Sequence, residues 1–508
     1  MKPFYITTAI VYANADPHIG FALELVYADV LARYYRMSGR EVRYLTGTDE
    51  HGSKISRKAE EAGKEPKIFV DEVAARVREL ADELNVSNDD FIQTTEDRHR
   101  KSVEAFWKKV DKAGYIYKKA YKGLYCVGCE SFKTDKDLVE NVCPDHKTPC
   151  EEVEEENYFF KLSAFQEQLE KLYEERPDFV VPETKFNEMK QLLKSGLEDI
   201  SISRSTKMLK WGIPVPGDDG QVIYVWFDAL VNYISAIGHG EDDKMMRKFW
   251  PADIHIIGKE INRFHSVLWP AMLLAAGIKV PQQIGVHGWI TVDGEKMSKT
   301  RGNVLDPFDL VDRYGTEPLR YFFMREIPFQ SDGDFSFKRF EERFNNDLAN
   351  ELGNLLNRAV AMTDRYLGGV VPAVVDYNVK SNWTQYRKAM EDLRFHDGLA
   401  AAWQIVKDMN KFIEVNEPWK LGKLEDKTEV NAVLYTLLES LRHVAWMIMP
   451  VTPETSFKIF EAIGTSVVEQ AQVPMKEAAI WGGLQPGAKV VLGDQLFPRI
   501  ETKPNDVS

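Results

Sequence analysis

At 508 residues, 44% of them hydrophobic, the chain can bury a large core and has room for about three or four domains. Its formal charge of −14 excludes a protein held on nucleic acid by general electrostatics, because neutralising phosphates takes clustered Lys and Arg; any nucleic-acid contact must be local. The apolar run FYITTAIVYA passes at once into Asn14, Asp16 and Pro17 with no small-residue cleavage site, and no stretch approaches the roughly twenty apolar residues of a membrane span, so a cytoplasmic protein is expected.

From Phe4 to Tyr12 the β-rich composition predicts a buried strand. The Asn-Ala-Asp-Pro turn then leads to an apolar-periodic helix from Ile19 to Met37, closed by Gly39. VRYLTGTDEHG repeats the order with a second strand ending in a polar loop, and helices follow near 54–62 and 68–84. The stretch 116–222 differs in character: it holds tyrosines, all four cysteines and the acidic run EEVEEEN, and reads as an insertion. At DIHIIGKEI, residues 253–261, a strand again runs into a helix, and QQIGVHGWI supplies another strand. The pattern predicts an α/β fold with a doubly wound, Rossmann-like parallel sheet, whose ligands sit at the carboxyl ends of its strands. After about Phe340, amphipathic patterns at 341–367, 383–394, 398–415, 428–449 and 453–463 predict an α-helical bundle. The expected division is a sheet domain in two halves, 1–115 and 223–325, the insertion 116–222, a linker 326–340, the bundle 341–465 and a tail 466–508.

Two segments carry chemistry when read together. DGEKMSKTRGN, residues 293–303, places Lys296 and Lys299 with Ser298 and Thr300 between glycines, a cationic loop suited to polyphosphate. Alone, such a loop is more often a solvated basic turn. Paired with PHIG at a strand-to-helix junction about 280 residues upstream, it reads as half of an ATP clamp whose other half is His18, Gly20 and a helix N-terminus. The cysteines cluster as CxxC and, about thirteen residues on, CxxH, which fits a tetrahedral zinc knuckle of Cys126, Cys129, Cys143 and His146, with Cys150 as a competing fourth ligand. Asn354 and Arg358, four apart, share one helix face, and Trp419 follows a proline that ends a helix. Such a set suits splayed RNA bases, although on these residues alone a solvated face beside a core tryptophan is the commoner explanation.

PHIG followed by KMSKT resembles the HIGH and KMSKS signatures of class I aminoacyl-tRNA synthetases. TGTDEHG, CVGC with CPDH, VWFDAL, GKEINRFH, NELGNLLNR and EPW resemble methionyl-tRNA synthetases of the one-knuckle zinc type, in family order across nearly the whole chain. The resemblance implies activation of methionine with ATP and Mg²⁺, followed by transfer to tRNA(Met). It implies catalytic roles for His18, Lys296 and Lys299, with Gly20, Phe21 and Ser298 completing the ATP site. The methionine pocket it implies is Ile10, Tyr12, Trp226, Ala229, Tyr233, Ile261 and His265, with Asp49 on the α-ammonium; an unbranched thioether favours such an aromatic-lined hole. It further implies anticodon contacts from Asn354, Arg358 and Trp419, favours His146 as the fourth ligand of one structural zinc, and suggests a monomer, since LFPRIE is not followed by a barrel-like segment. Three residues depart from the family pattern: Phe21 stands where the second histidine is usual, Glu260 where Asp is usual, and Thr300 where Ser is usual. A synthetase for isoleucine, valine or leucine, which needs more room between the clamps for an editing domain, and a catalytically impaired zinc-containing tRNA-binding relative are the alternatives.

Overall fold

In a computed structural model, which describes residues 2–126, 131–133, 138, 142–144, 147–296, 304–466, 470 and 473–500, the N-terminal β-rich run forms β1 (Phe4–Thr8) and β2 (Val11–Tyr12). After the helix α1 (Ile19–Met37) come β3 (Val42–Asp49), α2 (Ser53–Glu61), α3 (Pro66–Glu83), β4 (Asp90–Gln93) and α4 (Asp97–Lys112). β1 pairs in parallel with β3 on one side and with the strand Ile254–Gly258 on the other. Ile284–His287 and then Val180–Val181 extend that second side, while β2 and β4 both pair with β3, and every pairing is parallel. The chain leaves β1 toward β3 and reaches the other flank of β1 only at Ile254. Such a reversal of winding opens a crevice at the carboxyl edge of a sheet. This is the α/β sheet that the alternating pattern predicts.

Two segments differ from their predicted form. QQIGVHGWI, expected as one strand, divides: Ile284–His287 joins the parallel sheet, and Ile290–Val292 pairs with Glu295–Lys296 and Gly333–Phe335 in a separate three-stranded sheet. The break falls at Gly288, where a Cβ would lie 2.3 Å from the carbonyl oxygen of Ser331, so the two backbones meet too closely for any side chain. The stretch 116–222 opens with an antiparallel ribbon of Ile116–Cys126 and Glu151–Phe160 and then sends Val180–Val181 back to the edge of the parallel sheet. Two residues are too few to show any alternation in sequence.

α1 is buried on nearly every face, and its buried residues include Glu24 and Asp29. Asp29 receives hydrogen bonds from Arg320 (2.6 Å), Arg33 (2.7 Å) and Ser87. Arg320, on the helix Thr316–Glu326, also donates to the carbonyls of Leu84, Pro450 and Val451, so one buried guanidinium joins the sheet domain to the helices that follow. Those helices are Asn354–Leu367, Lys380–Glu391, Phe395–Asn416, Thr428–Ile448 and Pro453–Ala462, close to the amphipathic spans.

Within the bundle, the buried Glu439 accepts from Arg442 and from the backbone N–H groups of Gly482, Gly483 and Leu484, which pins the C-terminal segment to the helix Thr428–Ile448. Trp383 donates to His443 Nδ1, so the neutral ring carries its proton on Nε2, 3.3 Å from Glu439. Burial alone would raise the Glu439 carboxyl, but the bonds from His443 and Arg442 hold it down to about 2. Its stabilising charge is therefore present above the ordinary carboxylate range and is lost as pH falls toward 2. Glu439→Gln, which leaves Arg442 without a counter-charge, is expected to destabilise the bundle at pH 7 by roughly 3–5 kcal/mol. Thermal melts should show the gap between wild type and variant narrowing as pH falls from about 4.5 to about 2.

Candidate active site

A cavity of about 860 Å³ opens at the carboxyl edge of the parallel sheet. It is entered by the residues following β1, β3, Ile254–Gly258 and Ile284–His287, together with the N-terminus of α1. Eleven residues singled out from sequence line it: Ile10, Tyr12, His18, Gly20, Phe21, Asp49, Trp226, Ala229, Tyr233, Ile261 and His265. Glu260 lines it as well.

His18 is the N-cap of α1, and its Nδ1 accepts from the backbone N–H of Gly20 at 3.1 Å. A neutral imidazole that accepts at Nδ1 carries its proton on Nε2, which makes that atom a donor beside a positive helix end. A Cβ on Gly20 would press against this ring at 3.0 Å. Phe21 is only 6% exposed: it lines the cavity and belongs to the apolar core that α1 shares with the sheet. The departure at this position has therefore become part of an apolar wall.

At the other end the lining is aromatic and uncharged. Trp226 stacks on Phe264 with ring centroids 3.9 Å apart, and Tyr233 stacks on His255 at 4.1 Å. His265 donates from Nδ1 to the carbonyl of Ile261, so its Nε2 accepts from the Tyr233 hydroxyl at 2.7 Å. Burial lowers His265 to about 4, which keeps the ring neutral. Such a hole suits an unbranched thioether, whose sulfur gains from ring contacts. Asp49 ends β3 opposite Tyr12 of β2 and supplies a carboxylate at the mouth of this hole.

Sequence reading missed Glu24, Asn232, His287 and Trp289, all of which line the cavity. Glu24 accepts from Ala9 N–H at 2.9 Å and from His287 at 3.0 Å. Burial would lower His287, but Glu24 lifts it above its ordinary range, so the buried pair retains a proton. The available signal is a carboxylate within the apolar run IGFALELVYA that opens the helix, where a buried charge needs a partner. Lys259 extends over the Trp289 ring at 3.8 Å and pairs with Asp332, while Asp334 accepts from Thr291 and from Gly294 N–H. These bonds anchor the strands that lead into DGEKMSKTRGN. Backbone pairing places Lys296 in the last of those strands; Ser298, Lys299 and Thr300 lie outside the described residues.

A family model described as tRNA synthetases class I (M) matches residues 4–151 and 146–360, and one described as the anticodon binding domain of methionyl tRNA ligase matches 370–506. The chain belongs to the methionyl-tRNA synthetases. A methionine–tRNA ligase of Thermotoga maritima is 45% identical over 98% of this chain and 81% of its own length, and one of Streptomyces coelicolor is 43% identical over 99% and 98%. The methionyl-tRNA synthetase of Mycobacterium tuberculosis in complex with methionyl-adenylate superposes with a TM-score of 0.93 at 38% identity, covering 98% of this chain and all of that one.

Of the knuckle that methionyl-tRNA synthetases of the one-zinc type suggest, Cys126 ends the strand Ile116–Cys126 and is buried. Cys143 is also buried; its N–H donates to the carbonyl of Thr148 and its carbonyl accepts from the N–H of Lys147. Cys150 is half-buried, and Cys129 and His146 lie outside the described residues. Two buried thiols suit a metal's donor set in kind; among the described residues, no group of three His, Cys, Asp or Glu side chains is placed to hold a metal ion. The proposed anticodon residues do not line the cavity. Asn354 is exposed at the start of its helix, Arg358 is ion-paired with Glu414 at 2.6 Å, and Trp419 is half-buried against the core just past the end of Phe395–Asn416. The Arg358–Glu414 pair is on the surface and so costs little to open.

Phe21→His is expected to bury an imidazole in the apolar wall, destabilising the site by roughly 1–3 kcal/mol. Pyrophosphate exchange at saturating methionine should slow, by about tenfold for each 1.4 kcal/mol that reaches the transition state; a faster variant would mean that the position still has room for a donor.

Proposed function

We propose that this methionyl-tRNA synthetase joins L-methionine to ATP, releasing pyrophosphate, and passes the methionyl group from the adenylate to the terminal ribose of tRNA(Met). The observation that carries the reading is the cavity itself, with a helix N-terminus and an imidazole at one end and a neutral aromatic hole with a carboxylate at its mouth at the other.

In the first step a methionine carboxylate oxygen bonds to the α-phosphorus as the bond from phosphorus to the bridging oxygen of pyrophosphate breaks. The carboxylate is already ionised, so the site needs no general base, only alignment and charge stabilisation. On this reading Asp49 takes the α-ammonium, and Ile10, Tyr12, Trp226, Ala229, Tyr233, Ile261 and His265 hold the side chain. His18 Nε2–H and the N-terminus of α1 face the developing charge on phosphate, Gly20 lets the backbone approach, and Phe21 packs beside the nucleotide. Lys296, Ser298 and Lys299 close on the phosphates from the other side. Mg²⁺ bound with ATP supplies charge neutralisation on the leaving pyrophosphate. In the second step a ribose hydroxyl attacks the carbonyl of the mixed anhydride and AMP leaves.

The helices from 341 to 465 are assigned to tRNA, with Asn354, Arg358 and Trp419 meeting the anticodon. The residues 116–222 carry one structural zinc on Cys126, Cys129, Cys143 and His146. We place the enzyme in the cytoplasm, acting as a monomer.

Pyrophosphate exchange with each amino acid in turn tests the assignment: exchange is expected with methionine and not with isoleucine, valine or leucine, and no exchange from folded protein would sink it. Elemental analysis should find one zinc per chain, lost from Cys126→Ser, because the thiolates bind metal as a set; a protein purified without chelator that carries none, or two, contradicts the knuckle.

A further inference from the structure

Beyond the cavity wall, four polar side chains from four segments form a buried chain. Asp228, fully buried on the short helix Val225–Ala229, holds His51 Nδ1 at 2.6 Å with one carboxylate oxygen and His99 Nε2 at 2.7 Å with the other. The Nδ1 of His99, on α4, lies 2.8 Å from the hydroxyl of Ser235 on the helix Asn232–Ser235. Every segment of the proposed methionine pocket except the β1 loop and the 261–265 turn is within two residues of a member of this chain. Asp49 is two before His51, Trp226 and Ala229 flank Asp228, and Tyr233 is two before Ser235. The opposite end of the cavity, with His18, Gly20 and Phe21, hangs on α1 and makes no contact with it among the described bonds.

We infer that Asp228 is a positioning residue for amino-acid binding: by clamping His51 and His99 it fixes the Asp49 loop against the helices that carry Trp226, Ala229 and Tyr233. This rests on the reading of that end of the cavity as the methionine subsite. The neighbouring residue Glu50 ties the same loop the other way. Its side chain accepts from Thr48, Gln93 and Thr95, and its carbonyl accepts from Trp211 at 2.6 Å. Asp49 is thus followed by two anchored residues, and among the described bonds it is the His51 anchor that reaches the helix carrying Trp226 and Ala229. Burial alone would raise the Asp228 carboxyl; the charge of His51 and the bonds from both rings bring it down to about 2, so it is ionised and accepts from both. A buried carboxylate satisfied from both sides holds its partners firmly, and a misplacement near 1 Å in a binding group can cost about a hundredfold in rate.

The test is pyrophosphate exchange on the full chain with methionine and ATP varied in turn, and thermal melts alongside. Asp228→Asn, which turns an amide N–H toward one of the ring donors, and His51→Ala should each raise KM for methionine about tenfold or more and leave KM for ATP within about twofold of wild type. His51→Asn, whose amide nitrogen can replace Nδ1 as donor to Asp228, should return KM for methionine to within about threefold of wild type. The inference is overturned if the variants melt earlier with KM for methionine unchanged, if both KM values rise together, or if His51→Asn behaves like His51→Ala. Should Asp228→Asn not fold, the two His51 variants decide by themselves. A wild type that exchanges with no amino acid would instead overturn the methionine reading of the cavity.

Discussion

A carboxylate inside an apolar helix must find a partner or lose its charge, and α1 carries two of them. Asp29 is met by Arg320, which in turn holds the turns at Leu84 and at Pro450–Val451. Glu24 is met by His287 from the strand across the sheet and by the N–H of Ala9 just past β1. These two bonding patterns fix the helix along its length, one toward the bundle and one toward the cavity. The imidazole of His18 at its N-terminus is therefore held by a rigid element, not by a loop.

The cavity divides by charge. At the α1 end a helix N-terminus, His18 and the strands leading to the lysine loop favour an anionic ligand. At the far end Tyr233, Trp226 and a His265 kept neutral by burial favour an uncharged side chain, with Asp49 as a carboxylate for a cation. On the proposed reading, a zwitterion with a thioether tail and a triphosphate meet between these ends. No titrating base is needed there, since the reacting carboxylate arrives ionised. The contribution of the site is geometric and electrostatic.

Much of this was legible in the sequence because the informative residues are local. PHIG at a strand-to-helix junction, TGTDEHG at a strand end and VWFDAL each place their functional side chains within a few residues of a recognisable element, and all line one cavity. What could not be read depends on distance along the chain. Glu24 and His287 are partners across 263 positions, and Asp29 and Arg320 across 291. The edge strand Val180–Val181 is set by the neighbour it meets, and the break in QQIGVHGWI by the approach of Ser331 to Gly288. Phe21 was ambiguous for a related reason: the sequence shows a ring in place of an imidazole, and only packing shows that this ring belongs to the core.

The central claim is that one cavity seats methionine at its aromatic end and the nucleotide at the start of α1. A crystal structure of the protein with a non-hydrolysable methionyl-adenylate analogue tests it most directly. The account predicts the thioether between Trp226 and Tyr233, the ammonium on Asp49, and the phosphate within hydrogen-bonding reach of His18 Nε2. An analogue seated with its side chain away from the aromatic end, or with its phosphate remote from the N-terminus of α1, would contradict it.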